Sequence, residues 1–226
     1  MAKAKTRQAN FGVKVPKMLE TQKRGRGRPS TFDRSSVLRE AMKLFWENGY
    51  EGTTFEELIS KMSISPSTFY NSFGSKERLY REATENFMDS AQTWIQGALS
   101  EDGATTRQAF THLLEAAAEQ FTREDLPRGC MVSLSGTHQA PDLTPIRDMM
   151  VGYRAASEVY LADRIRKGIK EGDMPDTVDA DGLAALIHAI IRGMAVQARD
   201  GASREKLETI ARIAMESWPE TSKLAA

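Results

Sequence analysis

The chain carries a single cysteine, Cys130, three widely separated histidines, and no apolar run approaching the roughly 18 residues that a membrane-spanning helix needs. One cysteine excludes an intramolecular disulfide and suits a reducing cytoplasm. His112, His138 and His188 show none of the short His or Cys spacings that hold a metal, so they read as ordinary helix or loop residues. No nucleophile elbow, Ser/His/Asp set or phosphate-binding glycine loop can be assembled. Gly25-x-Gly27 lies in a basic arm rather than after a strand, so it is no dinucleotide fingerprint. An enzyme with a helical fold therefore has no constellation to carry it, and no cofactor is expected. The N-terminus is polar, unlike a signal peptide, and no alternating β-branched run marks a strand. The reading is an all-α, cytoplasmic protein.

Net charge is also missing, but only in the sum. Residues 1–80 hold 15 Lys+Arg against 8 Asp+Glu, whereas residues 81–226 hold 16 against 23. A basic front and an acidic back point to an N-terminal nucleic-acid module joined to a part that avoids DNA. Residues 1–31 form a basic arm with nine Lys+Arg, one acid and little core-forming material, expected to be disordered when free. Its end, Lys23-Arg24-Gly25-Arg26-Gly27-Arg28-Pro29, has glycines between arginines. That composition lets a flat backbone place Arg24, Arg26 and Arg28 in a narrow A·T minor groove, in the manner of an AT-hook. The alternative is a solvated charge run that adds only nonspecific phosphate attraction.

Organisation centres on residues 53–76, TTFEELISKMSISPSTFYNSFGSK. Thr54 and Glu57 make a capping box, and Phe55, Leu58, Ile59 and Met62 recur at helical spacing. After a break at Ser63-Ile64, Ser65-Pro66 supplies a cap followed by proline at the first helical position. This second helix is too short to stand alone in water. Ser67, Thr68, Tyr70, Asn71 and Ser72 give it hydroxyls and an amide, with Phe69 and Phe73 as anchors. The pattern suits a helix-turn-helix, whose second helix enters the DNA major groove, and equally an ordinary αα-corner. Upstream, a helix capped by Asp33 is predicted to run to about Asn48. Val37, Leu38, Ala41, Met42, Leu44 and Phe45 form its inner face, Gly49 is its stop, and Trp46 is read as core.

The segment from Phe32 to Tyr80 decides between the two readings, because it resembles the DNA-binding domain of the TetR (AcrR-like) family of transcriptional regulators. The resemblance covers 49 residues and rests on Phe45-x3-Gly49-Tyr50, Thr53-Thr54, Ser65-x-x-Thr68-Phe69-Tyr70 and Phe73-x-x-Lys76-x-x-Leu79. One departure is Ser63, where the family usually has glycine; a left-handed serine there would cost about 1 kcal/mol. The resemblance implies a three-helix reading domain over 32–80 and a helical effector-binding and dimerisation domain over 81–226. It implies DNA contacts from Thr54, Ser65, Ser67, Thr68, Tyr70, Asn71, Ser72 and Lys76. By role, Thr54, Tyr70 and Lys76 grip phosphate, and Ser67, Thr68 and Asn71 lie nearer the base edges.

The acidic back reads as helix throughout. A long helix follows Ser75, another spans about 106–122, a short apolar one follows Pro127-Arg128-Gly129, and Pro145 opens one that ends near Gly172. Two more start at Asp179 and Ser203. Their broad apolar stripes face either their own core or a symmetric partner, and Leu186, Ile190, Met194, Leu207, Ile210 and Ala214 are assigned to a four-helix homodimer interface. Effector pocket candidates are Trp94, Phe121, Cys130, Met131, His138, Met149, Met150 and Tyr153, although core filling is the stronger reading for any one of them taken singly. Cys130, beside Arg128 and near a helix start, is a candidate sensor of electrophiles or oxidants, against the reading of an ordinary buried thiol. The expected function is an effector- or redox-responsive repressor that binds a palindromic operator as a dimer. The alternative is an architectural A·T-rich DNA-binding protein dominated by the arm.

Overall fold

The computed structural model describes residues 33–135 and 143–219, and within these the chain forms nine helices and no strand. Arg24, Arg26, Arg28 and His138 lie outside the described residues. The first helix, α1 (Arg34–Gly52), starts where Asp33 accepts from the backbone N–H of Ser35. Its helical path breaks at Gly49, at φ 74° and ψ 176°, the position read as its stop. α2 (Phe55–Met62) carries the full capping box between Thr54 and Glu57. α3 (Pro66–Phe73) is capped by Ser65, which accepts from the Thr68 N–H. Between them Ser63 takes the left-handed conformation, φ 53° and ψ 43°, and its backbone and that of Ile64 close onto the end of α2.

α4 (Lys76–Leu99) runs from the reading domain into the rest of the molecule. α5 (Thr106–Phe121), the one-turn α6 (Met131–Leu134), α7 (Thr144–Glu171), α8 (Ala180–Arg199) and α9 (Arg204–Glu216) follow. Asp179 and Ser203 cap α8 and α9, and Gly172 ends α7 in the left-handed region. α7 and α8 are antiparallel: Arg166 pairs with Asp181 and Glu158 with His188, while Arg154 lies beside Arg192.

Two cores result. One joins α5, α8 and α9 with the far end of α4 and the second half of α7. The other packs Phe45, Trp46, Leu58, Phe69, Phe73 and Tyr80 of the reading domain, but continues through Phe87 and Ala91 to Met131, Val132, Ile146 and Met150. The reading domain therefore shares its core with α6 and the start of α7. A displacement of those elements is felt directly by the helices that hold α3, because close-packed interiors transmit strain.

Candidate nucleic-acid interface and adjoining cavity

Two aromatic anchors fix the reading helix. Phe69 and Phe73 are fully buried, and Phe69 meets the Phe55 ring edge-on at 4.9 Å. The opposite face of α3 is polar and open. Ser67 and Asn71 are exposed, Thr68 and Ser72 half-buried, and the exposed Tyr70 stacks on Phe55 at 5.4 Å. The Ser65 hydroxyl lies 2.9 Å from those of Ser67 and Thr68, so the cap also organises this face. Thr54 is engaged locally: its hydroxyl accepts from the Glu57 N–H and donates to the Glu57 carboxylate.

Lys76 sits over the Tyr50 ring with its Nζ 4.4 Å from the centroid, a cation–π arrangement that aims the ammonium. Partial burial pulls its pKa down, and Glu51 and Glu57 partly restore it. Arg34 stacks over Phe73, ion-pairs with Glu82 and donates to the Ser72 carbonyl, clamping the C-terminal end of α3 to α1 and α4.

A cavity of about 670 Å³ lies behind this head. Its walls come from α1, α4, α5, the 120–133 segment, α7 and α8. Trp94, Phe121 and Cys130 line it, as read from the sequence. Met131 and Met150 do not: both are fully buried in the core shared with the reading domain, packed by Phe87 and Ile146 rather than facing open space. Met149 and Tyr153 are half-buried outside the lining, with the Met149 sulfur taken by Arg81 at 3.6 Å. The sequence reading missed Trp46, Phe87, Arg154, Tyr160 and His188 as cavity residues. Trp46 was correctly read as core, but a residue can be both buried and a cavity wall.

The segment that carries Cys130 is held at both ends. Arg128 donates to the carbonyls of Ala198 and Ala202 at the end of α8, and Gly129, at φ 83°, packs so tightly that an added Cβ would lie 2.6 Å from the Ala195 oxygen. Beyond it, Arg154 donates to the carbonyls of Val132 and Ser135, 2.9 Å each. The Cys130 sulfur caps α6 by accepting from Ser133 N–H. Arg199, at the end of α8, also donates to the Trp46 carbonyl on α1. The cavity floor, α8 and the reading domain are thus joined by guanidinium-to-backbone bonds.

An exposed apolar stripe runs along α7 and α8. Val151, Val159, Leu186 and Val196 are each about half exposed, with Ala155, Ala189 and Gly193 between them. The antiparallel register sets Val159 level with Leu186 and Val151 level with Val196. Of the interface residues read from sequence, Leu186 is on this stripe and Ile190 is half-buried beside it. Met194 and Leu207 are spent in the protomer's own core, where α9 packs on α5, so they have no surface left for a partner. Ile210 and Ala214 are half-buried against that same core.

Residues 37–83 match the model of bacterial regulatory proteins of the tetR family, and residues 107–214 match the tetracyclin repressor-like C-terminal domain. The transcriptional repressor ComR of Escherichia coli K12 is 34% identical over 201 residues, 89% of this chain and 96% of the relative. The repressor BdcR of the same strain is 26% identical over 87% of the chain and 94% of its own length. Among solved structures, the TetR family regulator CifR, a cysteine mutant complexed with 26-bp operator DNA, superposes with a TM-score of 0.82 at 35% identity, covering 85% of this chain and all of that one. With both family models matched in order and a full-length relative above one third identity, this chain belongs to the TetR family of bacterial transcriptional regulators.

Proposed function

We propose that this protein is a homodimeric repressor that reads an inverted-repeat operator with α3 and lets go of it when a small molecule fills the cavity. The observation that carries the reading is the continuity of one core from α3 through Trp46 and Phe87 to Met131, directly beside a cavity that Trp46 and Phe87 also line. A molecule in that cavity touches α1 and α4 without an intermediary. By differential affinity for the two arrangements it shifts the balance between DNA-competent and released forms.

On DNA, Ser67, Thr68 and Asn71 face the base edges of the major groove, and Tyr70 and Lys76 grip phosphates. Ser65 and Ser72 border this face. Thr54 contributes through its cap, since its hydroxyl is already bonded to Glu57. Arg24, Arg26 and Arg28 of the arm supply minor-groove contacts, so deleting residues 1–28 weakens binding and flattens its dependence on salt.

Two copies meet through the α7–α8 stripe, which forms a four-helix bundle about a two-fold axis and leaves α9 as an internal buttress. Cys130, on the cavity wall, gives a second route to release: its thiol sulfur is alkylated by a carbon electrophile, the S–C bond forming as the bond from that carbon to its leaving group breaks and the thiol proton passing to solvent. Cys130→Ala would then bind DNA normally but ignore such reagents, which a gel-shift titration reads.

The test of the main reading is selection of bound sequences from a random DNA pool by the full chain. An enriched inverted repeat supports it. Enrichment for A·T tracts without symmetry supports the architectural alternative and overturns it.

A further inference from the structure

The cavity wall carries a guanidinium that no carboxylate among the described residues neutralises. Arg154 is half-buried there, and one of its terminal nitrogens is committed to the Val132 and Ser135 carbonyls. Its charged neighbour is a second cation, Arg192, whose Nε is itself buried without an acceptor. Burial, and then Arg192, draw Arg154 below the usual guanidinium range. A desolvated guanidinium without a counter-ion is costly, and a planar fork of donors is matched best by a carboxylate.

Around Arg154 the walls are apolar and aromatic, from Trp46, Phe87, Trp94, Phe121 and Tyr160. The Trp46 indole N–H itself is shut off from that space. The acids on the lining do not balance the charge: Asp125 is already paired with Arg123 at 2.6 Å, which leaves Asp89 against Arg39, Lys43 and Arg154.

We propose that the cavity takes an amphipathic organic anion, with an aromatic body between Phe87, Trp94 and Tyr160 and a carboxylate on Arg154. This rests on the effector reading above and specifies the chemistry of the effector. Neutral and cationic molecules of the same shape bind less tightly because they leave a partly desolvated guanidinium unpaired. The ligand also touches Trp46, whose carbonyl holds Arg199 of α8, so binding is felt on α1 and α8 together.

The test is calorimetric titration of the full chain with three molecules of one shape: 2-naphthoate, 2-naphthamide and 2-naphthylmethylammonium. The naphthoate is expected to bind at least tenfold more tightly than the amide, with the cation weakest. Arg154→Gln should bring the three within about twofold of each other, and Arg154→Lys should restore part of the preference. Because Arg154 also holds α6, Arg192→Gln provides a second variant that removes positive charge without releasing a backbone carbonyl, and it should cut the preference about threefold. Equal or tighter binding of the amide or the cation, or no binding by any of the three, overturns the inference. Release of DNA is read separately. An amide that binds best and releases DNA sinks the anion assignment and keeps the effector reading; a naphthoate that binds as expected and leaves DNA bound does the reverse.

Discussion

Ser63 is the one non-glycine residue with positive φ among the described residues, and it stands in the turn between α2 and α3. The left-handed region disfavours a Cβ, so Ser63→Gly should raise stability by about 1 kcal/mol, less the chain entropy that glycine adds to the unfolded state. Urea unfolding measures it, and an unchanged midpoint would show that the turn carries no strain. Glu57 makes a prediction about pH. Its carboxylate is held below the ordinary value of 4.5, first by the Thr54 backbone N–H and then by the Thr54 hydroxyl. A depressed carboxylate contributes stability that is present above its unfolded pKa and lost as pH falls through the folded one. The melting temperature of the wild type should therefore fall more steeply below about pH 4.5 than that of Glu57→Gln, and parallel curves would contradict it. At this scale the sequence was highly legible. Asp33, Thr54 and Ser65 cap the helices they are expected to cap, and Asp179 and Ser203 cap helices read as starting there, because a cap depends on neighbours within three residues.

Among the elements, α3 depends on its neighbours for form and α8 for function. Eight residues cannot hold a helix in water, and α3 is retained by Phe69 and Phe73. Phe69→Ala should cost about 3–5 kcal/mol and abolish DNA binding through loss of the reading domain, visible as a drop in thermal midpoint. For α7 and α8, the double variant Val159→Glu/Leu186→Glu should remain folded, because both side chains are half exposed, yet sediment as a monomer. A dimer of unchanged mass would move the interface elsewhere. Sequence pattern was weaker here. The stripe on α9 has the same spacing whether it meets α5 of its own chain or a partner, and only the packing decides that Leu207 faces inward. The cavity was largely illegible for a related reason. Arg154, Tyr160 and His188 come together with Trp46 and Trp94 only through long-range contacts between α1, α4, α7 and α8. No local spacing encodes that.

For the whole molecule, the expected boundary between residues 80 and 81 separates sequence features better than it separates cores. α4 belongs to both halves, and the reading domain is completed by Met131, Ile146 and Met150 from the other side of it. In the proposed mechanism this shared core is the route from a cavity more than a hundred residues wide in sequence, from Arg39 to Ile191, to the eight residues of α3. Arg128 and Arg154 tie the cavity floor to α8 and α7, and Arg199 ties α8 to α1, so in the proposed dimer the α7–α8 bundle sets the spacing of the two reading heads.

Methylation protection on a selected operator tests that account most directly, because dimethyl sulfate reports guanine N7 in the major groove and adenine N3 in the minor groove. The account predicts two windows of protected guanines, centred one helical turn or a whole number of turns apart, which appear together and vanish together in Val159→Glu/Leu186→Glu at the same protein concentration. Protection confined to adenines of the minor groove, and unchanged in that variant, would contradict it.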